Sequence, residues 1–253
     1  MSTDRVPLIA GNWKMHKTLA EARELVRGLR RGLEPGRRVE VVVAPPYTAM
    51  RTVAREIRGS FILMAAQDTF WEAKGAFTGA ISPVMLKDVG CSYVIVGHSE
   101  RRQHFFETDQ TVNLKLQAAL AAGLGPILCV GETLEQRREG RTLEVVGTQL
   151  TEGLAGLPPE AAAALIVAYE PVWAIGTGLT ATPAQAQEVH AFIRARLAEL
   201  LGAGGGNIRL LYGGSVTPEN AAALLAEPDL DGALVGGASL QADSFLKIIA
   251  AAW

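Results

Sequence analysis

Short apolar runs, many of them β-branched, recur along the whole chain at residues 6–10, 39–44, 61–66, 93–96, 127–130, 164–169, 208–212 and 232–235. Most are apolar throughout rather than alternating, the pattern of strands buried on both faces of a parallel sheet. Between them the period changes. Leu19, Ala22, Val26, Leu29 and Leu33 share one stripe within 18–33, and Val112, Leu116, Ala119 and Leu120 share another within 107–122. Ala186, Val189, Ile193, Leu197 and Leu200 do the same within 183–201. These spacings predict helices with one buried face. Ser82-Pro83, Thr182-Pro183 and Thr217-Pro218 read as N-caps followed by a first-turn proline.

Eight strands alternating with helices imply an α/β chain with a parallel sheet and right-handed crossovers. Eight is also the number that closes a (β/α)8 barrel; a doubly wound open sheet is the alternative. No composition shift or long polar linker divides residues 1–253, so the whole chain reads as one barrel domain. The glycine run at 204–206 reads as a helix-to-strand turn.

Composition narrows the picture further. With 49% hydrophobic and 20% charged residues, the chain is too apolar for disorder. A net charge of −2 supplies no global field for nucleic acid, so any anion needs a local site. No apolar stretch is long enough to span a membrane, and the first 14 residues do not read as a secretory signal. Cys91 and Cys129 lie in apolar, strand-like surroundings, which suggests a reduced, cytoplasmic chain. Cys129 reads as a packed core thiol or as a residue supporting the site.

In a barrel, chemistry gathers at the C-terminal ends of the strands. Gly213-Gly214-Ser215 follows the seventh run and Gly236-Gly237 the eighth, and two such pairs at these positions suit a phosphate. Lys14 follows the first run, where a fixed ammonium can hold a dianion and stabilise developing negative charge, with Asn12 as a neutral donor. His98 ends the fourth run and suits an acid, an electrophile or a metal ligand. No HxH or HExxH spacing surrounds it, so no metal site is expected. Ser99-Glu100 opens a short helix whose dipole keeps His98 neutral. Glu170 ends the sixth run, held extended by Pro171, and reads as a partly desolvated general base. The stretch Pro171, Val172, Trp173, Ala174, Ile175, Gly176, Thr177 and Gly178 is too apolar for an open loop and reads as a lid. Its overlap with a loose GxGxxA pattern is discounted, because residues 171–175 separate the glycines from the strand.

Four segments, 168–178, 96–102, 212–216 and 234–240, together resemble the triosephosphate isomerase family, and the resemblance covers nearly the whole chain. It implies interconversion of dihydroxyacetone phosphate and D-glyceraldehyde 3-phosphate in glycolysis and gluconeogenesis, with no cofactor and no metal. It implies Glu170 as the base, neutral His98 as the proton-relaying electrophile, Lys14 and Asn12 at the developing oxyanion, and Glu100 beside Lys14. Gly176, Ser215, Gly236 and Gly237 would hold the phosphate. It also implies a homodimer, with Thr78 near the partner's Asn12 and Lys14, and no nucleic-acid or membrane partner. Two positions depart from the family. Ala80 stands where a glutamate usually pairs with the arginine matching Arg101, so a weakened or rearranged link is expected beside the interface. Leu179 stands where a lysine is common, and altered lid opening is expected. Other functions fit less well. A Schiff-base lyase would want a lysine in a late strand, whereas the last lysine, Lys247, falls in the final helix. A non-catalytic sugar-phosphate binder has no need of Glu170, His98 and Lys14 together.

Overall fold

In a computed structural model describing residues 5–34, 36, 38–175 and 180–252, eight strands close into a parallel barrel in sequence order. They are β1 Leu8–Asn12, β2 Glu40–Ala44, β3 Ile62–Ala66, β4 Tyr93–Val96, β5 Gly125–Val130, β6 Ile166–Tyr169, β7 Arg209–Tyr212 and β8 Gly232–Val235. Closure comes from β8 pairing with β1, in register from Leu8 with Gly232 to Gly11 with Val235. Here β1 departs from the pattern-based range of 6–10. Pro7 has no N–H for the ladder, while Asn12 pairs with Ala44 of β2. The strand therefore starts two residues late and carries Asn12 as its last residue.

The apolar runs have two buried faces because alternate residues enter two different cores. Ala10, Val42, Ala65, Ile95, Ile127, Ala168 and Leu211 fill the barrel interior. Ile9, Val41, Met64, Val94, Leu128 and Val167 point outward against helices. Among the described residues those helices are α1 Leu19–Gly32, α2 Tyr47–Glu56, α3 Pro83–Val89, α4 Ser99–His104 and α5 Asp109–Ala121. The second half of the chain adds α6 Leu134–Arg138, α7 Thr142–Gly153, α8 Pro183–Leu201, α9 Ala221–Leu225 and α10 Ala242–Ala250.

Capping follows the sequence signals at Ser82 and Thr182, whose hydroxyls accept the N–H of Met85 and Gln185. Thr217 is the exception. Its N–H donates to Asn220 Oδ1 at 2.8 Å and its carbonyl accepts from Ala221 at 3.0 Å. Residues 217–220 form a turn, and α9 starts only at Ala221.

The lower mouth of the barrel is closed by the first residues of β2, β4 and β7. Arg209 Nη1 lies 3.2 Å from Glu40 Oε1 and Nη2 lies 3.2 Å from the Tyr93 hydroxyl, which itself donates to Glu40.

Candidate active site

The opposite mouth opens into a cleft of about 280 Å³, lined by Asn12, Lys14, His98, Glu170, Ile175 and the glycine-rich turns at 213–217 and 236–238. Residues from β1, β4, β6, β7 and β8 thus meet at one point, as the strand-end positions predict.

The turn after β1 is built around Lys14, whose φ of 51° lies in the left-handed region. A lysine holds that conformation only when its surroundings impose it. Asn12 Oδ1 accepts the Lys14 N–H at 3.0 Å. Gln67 Nε2 donates to the Lys14 carbonyl at 2.8 Å and to the Ala44 carbonyl at 2.9 Å. The Lys14 ammonium then reaches Glu100 Oε1 at 2.5 Å. A methyl group placed on Gly236 would lie 3.8 Å from Lys14 Nζ, so the ammonium stands beside the second glycine pair.

His98 is aimed by the residue before it. Gly97 has φ +70°, and a side chain there would meet Val112 Cγ2 at 3.0 Å. The chain therefore turns sharply out of β4 and makes His98 the N-cap of α4. Nδ1 accepts the Glu100 backbone N–H at 3.2 Å. That bond commits the Nδ1 lone pair, so the neutral ring carries its proton on Nε2, 2.9 Å from Glu170 Oε1. Burial disfavours the imidazolium, but the facing Glu170 carboxylate outweighs it and raises the His98 pKa. Once that carboxylate turns away, burial, Lys14 and the α4 N-terminus all favour the neutral ring.

Glu170 is buried, with Oε2 accepting the Ser99 N–H at 2.8 Å. Burial works against its charge, yet His98 and the Ser99 N–H prevail and hold its pKa below the ordinary value. Gly213 makes room for it: a methyl group there would come within 2.8 Å of Glu170 Cγ. Cys129 is a free, buried thiol whose pKa is pushed up by burial and then by Glu170.

Residues 171–175 form a short turn fastened to the end of β5. Glu132 is wholly buried; its carbonyl accepts the Val172 N–H at 3.1 Å and its Oε1 the Trp173 indole N–H at 2.9 Å. The Arg137 guanidinium covers the Trp173 ring at 4.5 Å. Gly176, Thr177, Gly178 and Leu179 lie outside the described residues, and with them the expected phosphate contact of Gly176 and the hinge effect of Leu179. Ser215, Gly236 and Gly237 do line the cleft. After Gly236 the chain makes a single 3₁₀ turn, Gly237–Leu240, tightened by Ser239 Oγ donating to the Gly236 carbonyl at 2.6 Å.

Gln67 and Glu132 brace the segments that carry Lys14 and Trp173, and neither was assigned a role from the sequence. Both are polar residues within two positions of the end of an apolar run, but their partners lie 53 and 41 residues away. Thr78 is exposed on the loop after β3 and does not line the cleft. Around that loop Phe70 stacks on Trp71 at 4.0 Å and packs against Phe77 at 4.6 Å. Met15, Phe77, Phe105 and Phe106 are all exposed, Met15 by 95%.

The family model described as triosephosphate isomerase matches residues 7–252. The triosephosphate isomerase of Moorella thermoacetica is 61% identical over 245 residues, 97% of this chain and 98% of the relative. That of Trichlorobacter lovleyi is 56% identical over 246 residues, again 97% and 98% of the two chains. A crystal structure of triosephosphate isomerase from Bartonella henselae superposes with a TM-score of 0.89 at 43% identity, covering 97% of this chain and 98% of that one.

Proposed function

The chain belongs to the triosephosphate isomerase family, and on that premise we propose which of its residues carry the reaction. It is an isomerase, interconverting dihydroxyacetone phosphate and D-glyceraldehyde 3-phosphate in glycolysis. The reaction moves a proton between adjacent carbons and another between adjacent oxygens, so it needs one base and one oxygen-facing acid.

Glu170 is the base. Its carboxylate is ionised, buried and at the rim of the cleft. Both oxygens are engaged, by His98 and by Ser99, so it must turn from them to take the proton on carbon. That turn releases the His98 Nε2–H, which then donates to the substrate carbonyl. His98 passes protons between the two oxygens of the enediolate, and Glu170 returns its proton to the neighbouring carbon. Lys14 and Asn12 stabilise the oxyanion, and Glu100 steadies Lys14. Ser215, Gly236 and Gly237, with Gly176 from the lid, bind the phosphate. Closure of residues 171–178 excludes water and protects the enediolate. The observation that carries this reading is the 2.9 Å pairing of a buried carboxylate with the Nε2–H of a histidine whose Nδ1 is already committed. A coupled spectrophotometric assay of glyceraldehyde 3-phosphate conversion, with Glu170→Gln beside the wild type, tests it. A folded variant of near-normal turnover rejects the base assignment.

The same reading takes residues 1–253 as one barrel domain. It makes the protein a homodimer, held through the exposed Met15, Phe77, Phe105 and Phe106, with Thr78 beside the partner's Asn12 and Lys14. Because Arg101 is satisfied within its own chain by Asp68 and Glu107, it adds little across that interface. Sedimentation on dilution should therefore show a dissociation constant weaker than that of relatives with glutamate at position 80; an equally tight dimer counts against this. No helix among the described residues is long and apolar enough to cross a membrane. The cytoplasm suits a glycolytic enzyme with two free, buried thiols.

A further inference from the structure

Four charged side chains from separate segments meet beneath the loop that follows β3. Asp68 follows β3, Arg101 lies on α4, Glu107 precedes α5 and Lys115 lies on α5. Arg101 Nη2 is 2.9 Å from Asp68 Oδ2, and its Nε donates to Glu107. Lys115 Nζ is 2.6 Å from Asp68 Oδ1 and also donates to Glu107. Two cations and two carboxylates thus alternate in a closed, neutral ring. Lys115 is only 4% exposed; a lysine so buried depends on both anions, and losing one leaves a desolvated excess charge.

The two carboxylates are not equivalent. Glu107 meets both cations through Oε1, and its Oε2 has no partner among the described residues. Asp68 gives one oxygen to each cation, and its carbonyl accepts the Tyr47 hydroxyl at 2.5 Å. Asp68 is therefore the member that joins Arg101 to Lys115 through separate oxygens, while Glu107 holds the Arg101 Nε. Arg101 lies one turn after His98, whose carbonyl accepts the Arg101 N–H at 2.8 Å. The intervening Glu100 binds Lys14. A cavity of about 380 Å³ lies against the ring, and Ala80 lines it.

We propose that Asp68 is a positioning residue for the isomerisation, holding α4 through Arg101 so that His98 and Glu100 stand in line with the cleft. The proposal rests on the role given to His98 above. Asp68→Asn keeps the shape and removes the charge. Turnover should fall about 10- to 100-fold, more in kcat than in KM, as expected for a misplaced reacting group. The His98 Nε2–H proton resonance, assigned by its loss in His98→Gln, should move. Ala80→Glu opens onto the same cavity, so Asp68→Asn/Ala80→Glu should recover both kcat and the resonance. Ala80→Glu alone adds a third carboxylate to a neutral ring and should not raise kcat. Recovery in the double variant supports the proposal, including recovery of folding should Asp68→Asn alone fail to fold. A double variant no better than Asp68→Asn overturns it, as does a single variant with wild-type kcat and an unmoved resonance, or one that loses kcat with the resonance in place. A resonance that moves and returns while kcat stays constant leaves the positioning of His98 intact and overturns its catalytic role instead.

Discussion

The two mouths of the barrel use similar residue types to opposite ends. At the lower mouth the side chains of Glu40, Tyr93 and Arg209 bond to one another across β2, β4 and β7. Nearby, Asp231 is held by Arg5 at 2.6 Å, by Arg194 at 2.8 Å and by the Leu210 N–H at 2.9 Å. Charges there find their complements inside the chain. At the upper mouth Glu170 is paired to a histidine and one backbone N–H, and Lys14 to a half-exposed glutamate, around an open cleft. These pairs can be exchanged for bonds to a ligand. A buried polar group stabilises a fold when its partners are permanent, and can do chemistry when its partner can be replaced.

Variants at the two mouths should separate these roles. Glu170→Gln should have the largest effect, lowering kcat about 10³-fold while the unfolding midpoint holds or rises. A parallel loss of stability would mean that the upper mouth is structural like the lower one. Between the mouths lies His190, buried on α8 against Tyr169 and Tyr212, with its pKa lowered by burial to about 4 from 6.5. The unfolded chain binds more protons than the native one between those values, so stability falls as pH drops through this window. Denaturant unfolding should show a loss of about 2 kcal/mol from pH 7 to pH 5, and His190→Gln should flatten that slope. An unchanged slope in the variant would assign the loss to other groups. The smallest effect belongs to the lower mouth. Tyr93→Phe removes a hydroxyl bonded to Glu40 and Arg209, and should cost about 1 kcal/mol with kcat unaltered. A fall in turnover there would break the contrast between the two ends.

Most of the fold was legible because burial on two faces leaves a mark: eight runs, most of them without polar alternation, with helical stripes at 18–33, 107–122 and 183–201 between them. The candidate site was legible for a related reason. Asn12, Lys14, His98, Glu170 and the glycine pairs are polar or backbone-exposing residues placed directly after such runs, where a barrel puts its open mouth. Gln67, Asp68 and Glu132 stood at equivalent positions, yet nothing local told which would face the cleft and which would hold another residue in place.

The sequence by itself determined the number of strands along the chain, the faces of the long helices and the set of polar residues at the strand ends, since these depend on neighbours within a few positions. Only the tertiary structure decided the register of β1, the turn at Thr217, the docking of Glu170 on Ser99 and the ring that joins Asp68 to α4. Each of these is a choice among partners brought together by barrel closure, and the energy of a buried charge depends on which partners those are rather than on its place in the chain.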